Sequence, residues 1–183
     1  KLEKERITLP VKLEMDRKGE FPTELIRFML SPEVALHLVF IPEEYGGLGA
    51  GTTEIALISE RMAKMDLAIA TSFLAICLGM DPLRVGATPE QKEKYIRKIA
   101  DGGLIVAYGV TEPEAGSNVQ SLRTKAERVL DEGGRIKGYK LNGQKQFITN
   151  AGVADLYTIL AHAPEGLHDE ITSIPQGPQG PQG

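Results

Sequence analysis

The residues best suited to chemistry form a polar segment directly after an apolar run. The run is Leu104–Val106, and the segment Ala107–Asn118 reads Ala-Tyr-Gly-Val-Thr-Glu-Pro-Glu-Ala-Gly-Ser-Asn. A strand that ends in such a loop presents backbone N–H groups and short hydroxyl donors at its end. These groups suit a ligand that carries carbonyl and phosphate oxygens.

A second segment, Gln144–Gly152, has complementary chemistry. Its sequence, Gln-Lys-Gln-Phe-Ile-Thr-Asn-Ala-Gly, predicts a strand with Phe147 and Thr149 on one face, because alternate residues of a strand point to the same side. An aromatic ring and a hydroxyl group would then cover and hydrogen-bond a flat ligand. Simpler interpretations stay open: Thr111 and Ser117 as turn residues, Phe147 as a core aromatic, and Thr149 as a β-forming residue.

Three further motifs accompany these segments: Ile41–Gly49 (Ile-Pro-Glu-Glu-Tyr-Gly-Gly-Leu-Gly), Glu90–Tyr95 (Glu-Gln-Lys-Glu-Lys-Tyr) and Leu141–Lys145 (Leu-Asn-Gly-Gln-Lys). Each motif alone is weak evidence, but all five occur in the same order as in one known protein family. From about residue 14 to residue 163 the chain resembles the N-terminal part of an acyl-CoA dehydrogenase.

The resemblance implies a flavoenzyme. Hydride transfer needs a cofactor, because no standard side chain accepts hydride. The resemblance implies FAD in that role, α,β-dehydrogenation of an acyl-CoA thioester, an electron-transfer flavoprotein as electron acceptor, and a homo-oligomer, either a dimer or a tetramer. Two alternatives stay open: an acyl-CoA oxidase or flavin monooxygenase that uses the same flavin cradle for oxygen chemistry, and a truncated, non-catalytic protein of this fold.

Eight positions match cofactor-binding residues of the family that the chain resembles: Tyr108, Val110, Thr111, Gly116, Ser117, Phe147, Ile148 and Thr149. The resemblance implies that Thr111 hydrogen-bonds the pyrimidine edge of the flavin, that Phe147 packs against the ring, and that Thr149 bonds near N5. It places Gly116 and Ser117 near the cofactor phosphates and near the pantetheine arm of the substrate.

The segment Leu67–Leu78 is apolar almost throughout. A helix that is apolar all round packs deep in a bundle, and core packing alone would explain this one. The corresponding helix of the family also lines an apolar ligand channel. The resemblance therefore makes Thr71, Leu74 and Leu78 substrate-binding candidates, together with Ser117.

The chain departs from the pattern of that family in three ways. Phe147 stands where the family usually has tryptophan, so a stacking face is kept but the indole N–H is lost. Asn118 stands where aspartate is common. The family's catalytic base is a glutamate in a C-terminal helical domain, without counterpart in these 183 residues, so the catalytic residues stay unassigned. Glu112 and Glu114 flank Pro113 and are interpreted as solvated carboxylates of a turn.

Composition and residue spacing exclude several classes of protein. A net charge of −4 gives no basic surface for nucleic acid, and no uninterrupted apolar run reaches the roughly 18 residues of a membrane span. His37, His162 and His168 have no metal-ligand spacing with Cys77, so no metal is expected. The apolar surroundings of Cys77 favour a buried, unreactive thiol over a nucleophile. A single cysteine favours a reducing compartment, the cytoplasm or the mitochondrial matrix, rather than secretion.

Helical signals fill the first part of the chain. Thr52 or Thr53 is predicted to cap a long helix that reaches about Leu78, and the capped start Thr88–Gln91 begins another that closes at residues 101–103. Gly46–Gly51 lacks the spacing G-x-G-x-x-G of a dinucleotide-binding turn. It is interpreted as a tight interhelical connection.

After Leu104 the pattern changes to strands. Strands are predicted at residues 122–127, 136–141, 144–150 and 155–161. Asp131–Gly134 predicts a turn, and Asn142-Gly143 predicts a hairpin. The predicted fold class is α+β, with a helical bundle at residues 1–103, an incomplete antiparallel β-barrel at 104–163, and an irregular or disordered tail at 164–183.

Overall fold

The computed structural model describes residues 7–163 of the chain. Its α-helices are α1 (Leu9–Lys18), α2 (Thr23–Leu30), α3 (Thr52–Met65), α4 (Leu67–Gly86) and α5 (Pro89–Gly102). Its strands are β1 (Val106–Gly109), β2 (Lys125–Leu130), β3 (Ile136–Asn142) and β4 (Leu156–Ile159). Helices precede strands, so the predicted α+β class is confirmed. The predicted tail at residues 164–183 lies outside the described residues.

Helix α4 forms the centre of the helical part. Its buried side carries Phe73, Ile76 and Met80, each at most 1% exposed, and the ring of Phe73 lies 5.4 Å from that of Phe40. Helices α2, α3 and α5 pack against it. By length and composition alone α4 would also pass for a membrane-spanning helix, but half of its most apolar window is buried within the protein. A core helix explains that burial.

The predicted long helix from Thr52 is two helices, because the chain breaks at Asp66. This residue is extended (φ −162°, ψ 126°), and its carboxylate accepts a hydrogen bond of 3.0 Å from the backbone N–H of Ile69. Aspartate is among the preferred N-cap residues, and such a cap is worth about 1 kcal/mol. The predicted cap at Thr52 or Thr53 lies slightly too late, since Gly51 is the N-cap and Thr52 is the first helical residue, and the single helix through Leu78 is wrong.

Helix α5 begins and ends as predicted. The Thr88 hydroxyl accepts from the N–H of Gln91, and the Gln91 side chain accepts from the N–H of Thr88. The two bonds form a complete capping box. At the other end Gly103 takes the left-handed conformation, with φ +55°. Local sequence signals therefore fix both ends of this helix.

The glycine-rich segment before α3 is a tight connection, as predicted. The N–H of Gly47 donates to the carbonyl of Pro42 at 3.1 Å, and the N–H of Gly49 donates to that of Ile41 at 2.8 Å. These N–H groups bond within the turn itself, so they are not available to cradle a phosphate.

The four strands form two two-stranded sheets. β2 and β3 are antiparallel, and the predicted turn at Asp131–Gly134 joins them with a hydrogen bond of 3.0 Å from the Gly134 N–H to the Asp131 carbonyl. β1 and β4 are parallel, with Val106 opposite Leu156. The antiparallel prediction is wrong for this pair. The connecting segment, residues 110–155, is far longer than the dozen or so residues that a parallel crossover needs, so the chain can return in the same direction. No barrel forms within residues 7–163.

The predicted strand at residues 144–150 is wrong, and so is the hairpin at Asn142-Gly143. Phe147 and Asn150 both have left-handed backbone, with φ +57° and +69°, which interrupts any strand. Gly143 has a different reason to be glycine, since a Cβ there would lie 2.6 Å from the Cα of Thr124. It allows the chain to cross closely over the start of β2.

Strand β1 shares the core of the helices. Ile105, Val106 and Ala107 are fully buried in the same cluster as α4. A Cβ on Gly79 of α4 would lie 2.6 Å from a methyl carbon of Val106, so helix and strand backbones approach closely. The end of β1 is therefore held directly against α4, and this contact positions the residues that follow.

His37 is a buried group whose charge depends on pH. It is 2% exposed, its Nε2 lies 2.9 Å from the carbonyl oxygen of Ala100, and its Nδ1 has no hydrogen-bond partner among residues 7–163. Burial lowers the pKa of His37, and the Ala100 carbonyl opposes this only in part. The side chain is therefore neutral in the folded protein near pH 7.

We expect stability to fall as the pH decreases below about 6.5, the ordinary pKa of histidine. Between that value and the lowered folded-state pKa, the unfolded chain binds a proton at residue 37 that the folded chain does not, so protonation favours unfolding. Urea unfolding at pH 7.5 and 5.5 measures the free energy of unfolding of the parent and of His37→Gln. The stability difference between the two proteins should shift in favour of the variant at pH 5.5. An unchanged difference would contradict the assignment.

Candidate functional site

The polar segment after β1 forms a compact turn, here named the loop segment (Val110–Ser117). Its centre is closed by two backbone hydrogen bonds, from the Glu112 N–H to the Ala115 carbonyl at 2.9 Å and from the Ala115 N–H to the Glu112 carbonyl at 3.2 Å. Val110 and Thr111 are half-buried at the end of β1, whereas Gly116 and Ser117 are exposed. The loop segment thus has an inner end and a solvent-facing end.

Glu112 is buried within the loop segment, so its interpretation as a solvated carboxylate is wrong. Its side chain accepts hydrogen bonds from the backbone N–H groups of Arg123 at 2.6 Å and Thr124 at 3.0 Å, and from the Lys145 ammonium at 2.7 Å. Hydrogen bonds from the side chains of Lys145 and Thr124 are the main reasons that the pKa of Glu112 falls to about 2. Glu114 is exposed and pairs with Arg123, as expected of a surface carboxylate.

The second polar segment, here named the aromatic segment (Lys145–Thr149), lies beside the loop segment. The Gln146 N–H donates to the Thr111 carbonyl at 2.9 Å, and its side-chain amide donates to the Glu112 carbonyl at 3.3 Å. Lys145 donates to the Val110 carbonyl at 2.9 Å. The predicted proximity of the two segments is confirmed, although one backbone bond and several side-chain bonds hold them together and no strand forms.

Phe147 projects into solvent from strained backbone. Its side chain is 87% exposed, and φ is +57°, a conformation that a bulky side chain rarely adopts. Ile148 packs against the core, while Thr149 is exposed. Phe147 is therefore not a core aromatic. Like Thr149 it is exposed, although no strand places the two side chains on one face.

Asn150 fixes the end of the aromatic segment onto α4 and β1. Its side-chain amide donates to the carbonyls of Ser72 at 3.0 Å and Val106 at 3.1 Å, and its carbonyl accepts from the Ser72 hydroxyl at 2.6 Å. Sequence reasoning missed this buried network. The usable signal was asparagine itself, since it tolerates left-handed backbone better than most residues.

The opposite side of α4 from the core is apolar and exposed. Leu74 and Leu78 are 37% and 52% exposed, and the Thr71 hydroxyl donates to the Leu67 carbonyl at 2.8 Å. Thr71 adjoins Ser72, which bonds the aromatic segment's neighbour Asn150. Thr71, Leu74 and Leu78 thus lie on one exposed face of α4, whereas Ser72 is buried on the core side.

Two family models match the chain, and together they cover most of it. The acyl-CoA dehydrogenase N-terminal domain matches residues 3–103, and the acyl-CoA dehydrogenase middle domain matches residues 107–180. The chain belongs to the acyl-CoA dehydrogenase family.

Individual relatives agree with the family models. The chain is 37% identical over 154 residues to a cyclohex-1-ene-1-carbonyl-CoA dehydrogenase of Geobacter metallireducens, covering 84% of this chain and 38% of that protein. It is 36% identical over 157 residues to a probable mitochondrial medium-chain specific acyl-CoA dehydrogenase of Caenorhabditis briggsae, covering 86% of this chain and 36% of the relative. The chain thus spans less than two fifths of the length of these relatives.

A solved structure of the family shows the same fold with a cofactor. The chain superimposes on an acyl-CoA dehydrogenase complexed with FAD from Bacillus anthracis with a TM-score of 0.69 and 34% identity. The match covers 85% of this chain and 26% of that one. The fold described above is therefore one that carries FAD in a family member.

The donor groups of this acyl-CoA dehydrogenase chain fit such a cofactor. Among residues 7–163, the hydroxyl groups of Thr111, Ser117 and Thr149 have no hydrogen-bond partner, so they are available to a ligand. A Cβ on Gly116 would meet no atom within 4 Å, which leaves the outer end of the loop segment open. Tyr108 is half-buried, and burial followed by the charge of Asp81 raises its pKa, so it stays a neutral phenol.

Cys77 is half-buried rather than buried as predicted, and its surroundings still disfavour the thiolate. It lies in α4, and burial, followed by the charge of Asp81, raises its pKa to about 11. The thiolate is therefore negligible at neutral pH, and only the thiolate is a good nucleophile.

Proposed function

We propose that the chain is the N-terminal part of a flavin-dependent acyl-CoA dehydrogenase that removes the α and β hydrogens of an acyl-CoA thioester. We assign residues 1–103 to its helical domain and residues 104–163 to part of its β-domain. FAD supplies the hydride-accepting chemistry when bound. The observation that carries the proposal is the hydrogen bond of 2.9 Å from Gln146 to Thr111, which sets unpaired hydroxyl donors and an exposed aromatic ring on adjoining backbone.

Each part of the two segments has a distinct role in holding FAD. Thr111 and the backbone N–H groups near it donate to the pyrimidine edge, where negative charge grows on reduction. Phe147 contacts the ring, Thr149 bonds near N5, and Ile148 anchors the aromatic segment to the core. Tyr108 and Val110 line the ring, while Gly116 and Ser117 face the phosphates.

The exposed face of α4 suits the acyl part of the substrate. Leu74 and Leu78 offer apolar surface, and we assign the substrate's acyl chain to them and to Thr71, and its pantetheine arm to Ser117. No described residue is assigned as the base that takes the α proton. Glu112 is the only buried glutamate of the loop segment, and its carboxylate is already held by donors from Arg123, Thr124 and Lys145.

Membership of the family supports a proposal for partners and compartment. We propose an electron-transfer flavoprotein as electron acceptor, a dimer or tetramer as the functional assembly, and a reducing compartment, the cytoplasm or the mitochondrial matrix. The unreactive Cys77 is compatible with that compartment but does not decide between the two.

The absorption spectrum of the purified complete protein tests the cofactor assignment. We expect flavin bands at one FAD per chain, bleaching when an acyl-CoA is added without oxygen, and slow recovery when oxygen is admitted. A colourless protein that binds no added FAD would contradict the proposal. Rapid recovery in a stopped-flow trace would favour an oxidase or monooxygenase instead.

Thr111→Ala should weaken FAD binding by about 1 kcal/mol, roughly fivefold in Kd, because one hydrogen bond to the ring is lost. Fluorescence titration of the apoprotein with FAD measures the effect. Thr53→Ala is a matched control, since Thr53 is exposed on α3. Equal affinities of the parent and Thr111→Ala would remove Thr111 from the site.

A further inference from the structure

Glu112 and Lys145 form a buried ion pair at the junction of the two segments. Their charged atoms lie 2.7 Å apart, and their side chains are only 5% and 11% exposed. The pair connects residues 33 positions apart in the chain. Neither residue is assigned to FAD or substrate above, so the pair needs its own explanation.

The contacts of the pair tie three parts of the chain together. Lys145 donates to the Val110 carbonyl at 2.9 Å, which holds the aromatic segment against the end of β1. Glu112 accepts from the N–H groups of Arg123 and Thr124, just before β2. A shift of either side chain would therefore move Thr111 relative to Phe147 and Thr149.

The charges of the pair also matter to a ligand beside it. The Lys145 ammonium bonds the carbonyl of Val110 at 2.9 Å, and Gln146, the residue after Lys145, bonds the carbonyl of Thr111, so the pair lies beside the backbone where the flavin edge is proposed to bind. An uncompensated carboxylate there would oppose the negative charge that the ring gains on reduction. The Lys145 ammonium cancels that charge in a poorly solvated position, where screening by water is weak.

We propose that the Glu112–Lys145 pair positions the two flavin-binding segments and sets the charge under the flavin edge, so that it tunes the reduction potential of bound FAD. Both residues act through the segments that they hold and not by direct contact with the reacting atoms. The inference rests on the proposed function, because it requires FAD between the loop segment and the aromatic segment.

The charge argument gives opposite signs for the two single variants of the complete protein. Lys145→Met leaves the carboxylate without its cation, so the potential of bound FAD should fall. Glu112→Gln leaves the ammonium without its anion, so the potential should rise. The double variant removes both charges, and its potential should return toward the parent value. All three variants should bind FAD about tenfold more weakly or worse, because the segments lose a charge-assisted bond.

Arg27→Met is the matched control. Arg27 pairs with Asp155 through a partly buried ion pair with a second bond of 2.8 Å, and this pair joins α2 to the start of β4 without bonding to either segment. Its loss should lower the stability of the apoprotein and leave the potential and the FAD affinity unchanged. Lys145→Arg, which keeps the charge, should keep the potential near that of the parent.

The measurements are FAD titration, urea unfolding of the apoprotein, and the reduction potential of the bound flavin by dye equilibration. Potential shifts of opposite sign in the single variants would support the inference, with Glu112→Gln deciding alone where Lys145→Met fails to fold. Unchanged potentials, or shifts of one sign in both, would overturn it while leaving the proposed function intact. A parent protein that binds no FAD would overturn both.

Discussion

Replacing Phe147 with glycine is expected to stabilise the apoprotein and weaken its binding of FAD. The left-handed backbone at φ +57° strains any bulky residue but not glycine. The ring is 87% exposed, so its removal sacrifices little folding energy. We expect a gain of about 0.5–1 kcal/mol in the free energy of unfolding. We expect a loss of about 2 kcal/mol in binding, roughly thirtyfold in Kd, because the ring no longer covers the flavin.

The control for this prediction is Ala35→Gly. Ala35 also has left-handed backbone, with φ +49°, and lies directly before the short 3-10 helix Leu36–Phe40. Glycine there should stabilise the protein similarly and leave FAD affinity unchanged. Urea unfolding and FAD titration of both variants check the pair of outcomes. If Phe147→Gly bound FAD as tightly as the parent, the exposed ring would have no part in the site.

Asn150→Ala is expected to destabilise the protein by about 3–4 kcal/mol. Three hydrogen bonds to Ser72 and Val106 are lost in a buried position, at about 1 kcal/mol each. Alanine at φ +69° adds about 1 kcal/mol of backbone strain. Denaturant unfolding of the apoprotein measures the change.

Asn150→Gly separates the two contributions, because glycine removes the hydrogen bonds but tolerates the backbone. It should be about 1 kcal/mol less destabilising than Asn150→Ala. A loss of less than 1 kcal/mol in Asn150→Ala would show that the network does not fix the aromatic segment onto α4.

Elements with local causes could be predicted from the sequence. The capping box of Thr88 and Gln91 and the stop at Gly103 define α5 through contacts within a few residues. The turn at Asp131–Gly134 is equally local. The break at Asp66 was missed although it too is local, because the apolar run that follows masked the N-cap.

Elements with distant causes could not be predicted in this way. The parallel pairing of β1 with β4 joins residues about 50 positions apart, and no pattern within one strand specifies its partner's direction. The irregular path of residues 144–150 depends on left-handed backbone at Phe147 and Asn150. The alternation of residue types there predicted a strand, but such a pattern gives no information on the backbone conformation of individual residues.

In the candidate site, too, some features could be predicted from the sequence and others depended on residues far apart in the chain. The motifs around Thr111 and Phe147 were sufficient to predict that the two segments lie together, and the bond from Gln146 to Thr111 confirms it. The burial of Glu112 was not predicted, because its partners Thr124 and Lys145 are 12 and 33 residues away. A Glu-Pro-Glu sequence looks like an exposed turn until those partners are known.

A structure of the complete protein with FAD tests the central claim most directly. The account predicts the flavin ring between the loop segment and the aromatic segment, with Thr111 hydrogen-bonded to its pyrimidine edge and Phe147 in contact with its face. A flavin ring bound elsewhere, with Thr111 and Thr149 both remote from it, would contradict the account.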